Sequence, residues 1–262
     1  MRTRLDAELV RRGLVDSRAR AVDAVAAGRV LVGGAVATTA ARRVGAGEPI
    51  SLSGPPPPFV SRGGEKLAAA LDAFPLVIDG CRALDAGAST GGFTDCLLQR
   101  GAAEVVAVDV GRGQMSWKLQ TDARVRVLDR VNVRGIGAEE IGGAVPVAVA
   151  DLSFISLLTV APALARCTTA NAHLVLLVKP QFEAGRARVG KGGIVRDPAV
   201  HRDVLIEVAS GLGQHGLPVV GAIASPITGA DGNREFLVHV DRAARAVDPA
   251  CLLDAVAGEP AA

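Results

Sequence analysis

The chain has 262 residues, 49% of them hydrophobic but only 3% aromatic, with no tyrosine; it is long enough for one large core, or a small and a medium one, built from Val, Leu, Ile and Ala. No apolar run approaches the ~18 residues that suggest a membrane span, the first eight residues lack a signal peptide's apolar stretch, and the four cysteines form no Cys-x-x-Cys pair, so free thiols in a reducing cytosol are expected. Net charge is +2 but uneven: residues 1–60 carry nine arginines and no lysine against five acids (+4), and the remainder carries −2. A basic module beside a near-neutral one fits an anionic partner such as nucleic acid as well as it fits ordinary surface charge.

Leu5 to Leu14 reads as a helix ended by Gly13. Ser17 reads as the N-cap of a second helix, with apolar positions Ala21, Val22, Val25 and Ala26, that stops at Gly28. Val30-Leu-Val, the turn Gly33-Gly34 and Ala35-Val-Ala predict a hairpin, and Glu48 to Leu52 a further short strand. The pattern is carried by Arg4-Leu-Asp, Arg11-Arg12-Gly13-Leu14, Ser17-Arg18 and Ala27-Gly28-Arg29-Val30-x-Val32-x-Gly34. It resembles the small α+β RNA-binding domain first described in ribosomal small-subunit protein four. The resemblance implies that Arg4, Arg12, Arg18, Arg20 and Arg29 face RNA phosphates as a group, although a solvated arginine surface accounts for any single one of them.

Pro55 to Pro58 is stiff and extended and cannot continue a helix or a central strand. It divides the chain into a basic domain over 1–54, a linker over 55–62, a larger domain over 63–246 and a C-terminal tail over 247–262. Ser61-Arg-Gly-Gly-Glu-Lys66 opens a helix that runs through Leu71. Apolar runs then alternate with helical stretches: Arg82–Asp85, Val105–Asp109, Val125–Leu128, Val147–Asp151, Leu174–Val178, Val219–Ala224 and Phe236–Val240. This βαβ alternation predicts an α/β domain with a mostly parallel sheet covered on both faces.

The first of those strands leads into Ala86-Gly-Ala-Ser-Thr-Gly-Gly-Phe-Thr94, a glycine-rich turn opening a helix, and the second ends in Asp109. Glycine lets the backbone turn sharply and approach a ligand, and an acid ending the next strand can hold a ribose. Gly87-Ala-Ser-Thr-Gly91 also matches a hydrolase nucleophile elbow, but that elbow needs sheet strands before it, and here little more than one helix precedes it. The spacing Gly87-x-x-x-Gly91-Gly92 is not that of a dinucleotide cradle. Asp85 suits a cofactor with a cationic amino-acid end and no phosphate, and S-adenosylmethionine is such a cofactor.

Asp151 and Lys179 end two later strands, Lys66 lies near the start of the helix before the first strand, and Glu235 directly precedes the last. The chain has four lysines against 25 arginines, so a lysine at the ligand edge of a sheet stands out. Lysine can give up its proton where arginine effectively cannot. Spacing alone leaves two readings open: a lysine base among carboxylates, or structural ion pairs.

Six stretches together resemble the TlyA family of ribosomal RNA 2′-O-methyltransferases, sometimes labelled haemolysins. They are Ser61-Arg-Gly-Gly-Glu-Lys-Leu67, Leu84-Asp-Ala-Gly-Ala-Ser-Thr-Gly-Gly-Phe-Thr94, Val108-Asp-Val-Gly111 with Gly113-Gln114, Ala150-Asp-Leu-Ser-Phe-Ile-Ser156, Leu177-Val-Lys-Pro-Gln-Phe-Glu183 and Gly232-Asn-x-Glu235. The resemblance covers nearly the whole chain and implies a Rossmann-like class I methyltransferase domain of the FtsJ type behind the RNA-binding domain. It implies a tetrad of Lys66, Asp151, Lys179 and Glu235, with Lys179 as general base. The S-adenosylmethionine site it implies is lined by Asp85, Gly87, Ser89, Gly91, Gly92, Phe93, Asp109, Val110, Asp129 and Asp151. Its implied substrate is ribosomal RNA within ribosomal subunits, at a cytidine. The protein is expected to act as a cytoplasmic monomer, without a metal. Two positions depart from the family pattern: Arg112 stands where an aromatic residue is common, and Val131 where threonine is frequent. The alternatives are a non-catalytic RNA-binding or assembly factor and a membrane-lytic protein.

Overall fold

The proline run falls at the joint between two units, Met1–Pro57 and Pro58–Ala262, of a computed structural model that describes residues 2–15, 17–229, 231–245 and 247–257. In the first unit the elements are β1 (Arg2–Arg4), α1 (Leu5–Arg11), α2 (Arg18–Ala26), β2 (Val30–Val32), β3 (Ala35–Val36), β4 (Arg43–Gly45) and β5 (Ile50–Leu52). The Ser17 hydroxyl accepts from the Arg20 backbone N–H and so caps α2. Gly33 and Gly34 both have positive φ, the conformation a tight two-residue hairpin demands, and Val32 pairs with Ala35 across it. β5 joins the other side of β2, and β1 pairs with β4 in a separate two-stranded ribbon. Leu5, Leu9, Ala21, Val25, Val30, Val32 and Val44 close a small core.

The second unit contains α3 (Gly63–Ala73), β6 (Arg82–Ala86), α4 (Gly92–Gln99), β7 (Glu104–Asp109), α5 (Trp117–Gln120), β8 (Val125–Asp129), β9 (Val145–Ala150), α6 (Leu157–Cys167), β10 (Thr168–Val178), α7 (Pro180–Glu183), α8 (Pro198–Gln214), β11 (Val219–Ala224), β12 (Phe236–Asp241) and α9 (Pro249–Ala257). The sheet order is β11-β12-β10-β9-β6-β7-β8, with β12 antiparallel to both neighbours and every other adjacent pair parallel. Successive strand residues enter opposite cores: Leu84, Val106, Ala148 and Leu174 on one face, Ala83, Val105, Val147 and Val175 on the other. That is why these strands read as unbroken apolar runs. Within the stretch expected as a tail, α9 buries Leu252 and Val256 in the first of these cores, so the unit continues through it.

Chain order reverses about β6, whose neighbours are β9 on one side and β7 on the other. Open α/β sheets bind ligands beyond the carboxyl ends of their strands at such a reversal.

Candidate active site

The glycine turn leaves β6 at that reversal. Gly87 and Gly91 have φ of +87° and +96°. A Cβ on Gly87 would run into the Asp151 carbonyl oxygen, and one on Gly91 into the Leu119 side chain. Gly87 is thus required by close packing against backbone as well as by its conformation, and Gly91 chiefly by its conformation, since the Leu119 side chain can give way. Ser89, also at positive φ, donates its backbone N–H to Asp109 Oδ2 at 2.8 Å, and Gly111 N–H reaches Asp109 Oδ1 at 2.6 Å. Gly113 N–H bonds Asp129 Oδ2 at 2.8 Å. Asp109 and Asp129, both expected to line the cofactor site, therefore also hold the loops that follow β6 and β7. Val110 beside Asp109 is 68% exposed, an apolar surface at the rim of the turn. Gly92 opens α4. The Phe93 side chain lies in the core, so Phe93 offers the turn only its backbone.

Asp85 is fully buried. Its Oδ2 accepts from the Thr94 hydroxyl at 2.6 Å, while Oδ1 is buried without a partner among the described residues. Burial, with smaller repulsion from Asp151 and Asp109, pushes this carboxyl up to about 7. Asp85, Asp109 and Asp151 sit at or next to the carboxyl ends of three neighbouring parallel strands, so three acids lie at one edge of the sheet.

The strand register gathers Lys179 and Glu235 beside Asp151 at the same edge. β10 pairs Val178 with Phe236 of β12, so Lys179 and Glu235 are the next residues outward on adjacent strands. β9 pairs Ala150 with Leu176 of β10, which brings Asp151 alongside. Lys179 Nζ lies 2.6 Å from Asp151 Oδ1 and donates to Ser153 Oγ at 2.9 Å. Lys66, carried by α3, pairs with Glu235, and both are buried. The structure thus forms both ion pairs that spacing alone allowed, and in this particular combination.

Sequence reasoning singled out neither Ser153 nor the rings beside it. Phe154 has φ of +63° and is 90% exposed, and its ring centroid stands 5.0 Å from that of Phe182. An exposed phenylalanine in the left-handed region is a strained arrangement of a kind concentrated at functional sites. The sequence shows only Phe154 and Ile155 between two serines just past a strand end, and nothing in that marks a left-handed backbone. Asn233, buried two residues before Glu235, accepts from Val195 N–H and donates to the Gly193 carbonyl, tying a glycine-rich loop to this edge. Cys96 and Cys167 are buried, and burial pushes their thiols up to about 12 and about 11, which leaves neither as a nucleophile. Among the described residues no cluster of three or more His, Cys, Asp or Glu is placed to hold a metal, and no helix is long and apolar enough to cross a membrane.

In the first unit the arginines surround two buried acids of α1. Arg4 and Arg18 both bond Asp6, Arg4 first among the causes that hold its carboxyl far below the usual range. Arg11 and Arg12 hold Glu8 down to about 2. Arg12 also donates to the carbonyls of Ala46 and Glu48, and Arg29 to that of Ser53. Arg12 and Arg29 are thus bound into the fold, whereas Arg4 and Arg18 remain exposed around a single carboxylate. Arg20 is half-buried.

Residues 59–242 match the model of the FtsJ-like methyltransferases, and residues 3–50 that of the S4 domain. The chain is 48% identical to the 16S/23S rRNA (cytidine-2'-O)-methyltransferase TlyA of Mycobacterium tuberculosis over 97% of its own length and 96% of that protein's. It is 40% identical to Hemolysin A of Brachyspira hyodysenteriae over 90% of this chain and 98% of the other. The solved structure of a candidate hemolysin from Streptococcus thermophilus superimposes with a TM-score of 0.79 at 39% identity, covering 98% of this chain and 94% of that one.

Proposed function

The chain belongs to the TlyA branch of the FtsJ-like methyltransferase family, and from that membership we propose that it moves a methyl group from S-adenosylmethionine to the 2′-oxygen of a cytidine in ribosomal RNA. The observation that carries this reading is the joining of two ion pairs, Lys179–Asp151 and Lys66–Glu235, at the edge where the glycine turn opens. The cofactor supplies a methyl group on a sulfonium, a leaving group that needs no further activation. The chain's share of the chemistry is alignment and proton removal. Lys179 takes the ribose hydroxyl proton, and Asp151 and Ser153 orient its Nζ. Glu235, anchored by Lys66, fixes the ribose. Phe154 and Phe182 offer a flat apolar surface to an unstacked base. Mapping of 2′-O-methylation on ribosomal RNA from cells with and without the protein tests the activity: a methylated cytidine that persists in the deletion strain overturns it.

Asp85, Asp109 and Asp151 fit a cationic cofactor, because its charge offsets their mutual repulsion and its ammonium can satisfy the orphaned Asp85 oxygen. Asp109→Ala is expected to weaken S-adenosylmethionine binding by ~1–3 kcal/mol, the loss typical of a charged hydrogen-bond partner. The affinity of the unmodified protein should also rise between pH 6 and pH 8. Asp85 titrates near 7, and only its ionised form attracts the cation. Calorimetry at the two pH values checks both effects, and equal affinities throughout would refute the assignment.

Residues 1–54 form, in this reading, the module that sets RNA affinity, with Arg4, Arg18 and Arg20 on its basic face, while Arg12 and Arg29 serve the fold through the carbonyls they bond. The module leaves the chemistry to the second unit, and the protein works as a cytoplasmic monomer on ribosomal subunits. Binding to ribosomal RNA should weaken as salt rises, because phosphate contacts release counterions. Deleting residues 1–54 should remove most of both the affinity and its salt dependence. Filter binding with unchanged affinity after the deletion would show that the division of labour is wrong.

A further inference from the structure

Two short segments carry the reacting edge. Asp151 to Leu157 follows β9 and holds Asp151, Ser153 and Phe154; Lys179 to Glu183 follows β10 and holds Lys179 and Phe182. They touch through the Lys179–Asp151 ion pair, the Lys179–Ser153 hydrogen bond and the Phe154–Phe182 contact. A further link closes the far end. Glu183 Oε2 accepts from the Ser156 hydroxyl at 2.6 Å, and Oε1 accepts from the Leu157 backbone N–H at 2.8 Å. Ser156 is the N-cap of α6, and its Oγ in turn accepts from Leu158 N–H at 3.1 Å.

We propose that Glu183 is a positioning residue for the methyl-transfer reaction: its carboxylate clamps the two segments together and thereby sets where Lys179 and Phe154 stand. The inference rests on the reading of the site given above. Two features make a carboxylate the group required, and a third shows that the segment needs holding. Both of its oxygens accept, and the two donors come from consecutive residues of one segment. It stands at the amino end of an eleven-residue helix, where unpaired N–H groups and the helix dipole favour negative charge. Phe154 keeps a left-handed backbone, a conformation that persists only when its surroundings hold it there. The clamp lies two residues from Phe154 on one segment and one residue from Phe182 on the other.

An amide has the shape of the carboxylate but only one accepting oxygen. Glu183→Gln can therefore accept from Leu157 N–H but meets Ser156 with an N–H, so the Ser156 hydroxyl has to turn round and the charged clamp becomes a neutral, reversed one. With ribosomal subunits as substrate, it should lower the single-turnover rate by 10-fold or more. S-adenosylmethionine affinity, subunit affinity and melting temperature should stay near those of the unmodified enzyme. Ser156→Ala, which removes one arm of the clamp and keeps Glu183, should show the same pattern at smaller size, and serves if Glu183→Gln does not fold. An active unmodified enzyme with an equally active Glu183→Gln overturns the positioning role. So does a rate loss that only accompanies loss of melting temperature and cofactor affinity in both variants. An unmodified enzyme that transfers no methyl group in the same assay overturns the reading of the site instead.

Discussion

Lys179→Arg should slow single-turnover methyl transfer to ribosomal subunits by at least ~100-fold, the usual cost of losing a general base, while leaving the fold and cofactor affinity largely intact. Lys179 stands 2.6 Å from Asp151 in an ion pair that arginine can also make. If that pair only held the ends of β9 and β10 together, the arginine enzyme would keep much of its activity. Arginine cannot accept a proton at working pH, however, so a base at this position leaves it inert. Alanine is the poorer test because it removes charge, contact and basicity together. The measurement is transfer of tritiated methyl groups in a single turnover, and near-normal rates for Lys179→Arg would refute the role.

The second large effect concerns stability. Lys66 and Glu235 are both buried and paired. Removing one partner strands the other as an uncompensated charge in the interior, which typically costs ~3–5 kcal/mol. Glu235→Ala should therefore unfold in urea well before the unmodified protein. Replacing the pair as a whole, with Lys66→Met and Glu235→Leu together, removes the stranded charge and should recover most of that loss. The double variant should nonetheless transfer no methyl groups, because nothing then fixes the ribose. Equal urea midpoints for Glu235→Ala and the unmodified protein would mean that water reaches Lys66 and the pair is not a buried one. Activity in the double variant would mean that the pair serves the fold alone.

The inner strands of the large sheet were legible because their burial on both faces leaves apolar runs such as Ala83–Leu84 and Val105–Val108, whereas the edge strand β8 was legible from Val125, Val127 and Leu128 around the exposed Arg126. Strand direction was less legible. Phe236 to Val240 reads the same whichever way it runs, and only its pairing with Val178 through His173 shows that β12 is the one antiparallel strand of its sheet. β1 and β4 escaped notice because Arg2-Thr-Arg4 is exposed throughout and offers no apolar alternation. At the site, Asp85, Asp151, Lys179 and Glu235 could be picked out as carboxylates and a lysine beside strand ends, and Lys66 as one of four lysines in the chain, near the start of a helix. Which lysine meets which acid is a matter of register, and four partners at long separation admit either combination. Phe154 could not be found in this way, since a left-handed backbone at a phenylalanine comes from the loop around it and has no compositional mark. The same holds for the arginines of the first unit. Their number was plain, but Arg12 is turned inward by carbonyls 34 to 36 residues away in the chain.

The contact between Gly87 and Asp151 bears on how such chains can diverge. No side chain fits at position 87, because the ends of β6 and β9 approach one another there through their backbones. The glycine is therefore required by the sheet whether or not a ligand ever enters the crevice. A duplicated copy that had given up methyl transfer would be free to vary Lys179 or Phe154, yet it would still have to keep this glycine to fold. Retention of the glycine turn in a distant descendant is accordingly a record of shared architecture, and surviving activity has to be judged from the lysines and acids instead.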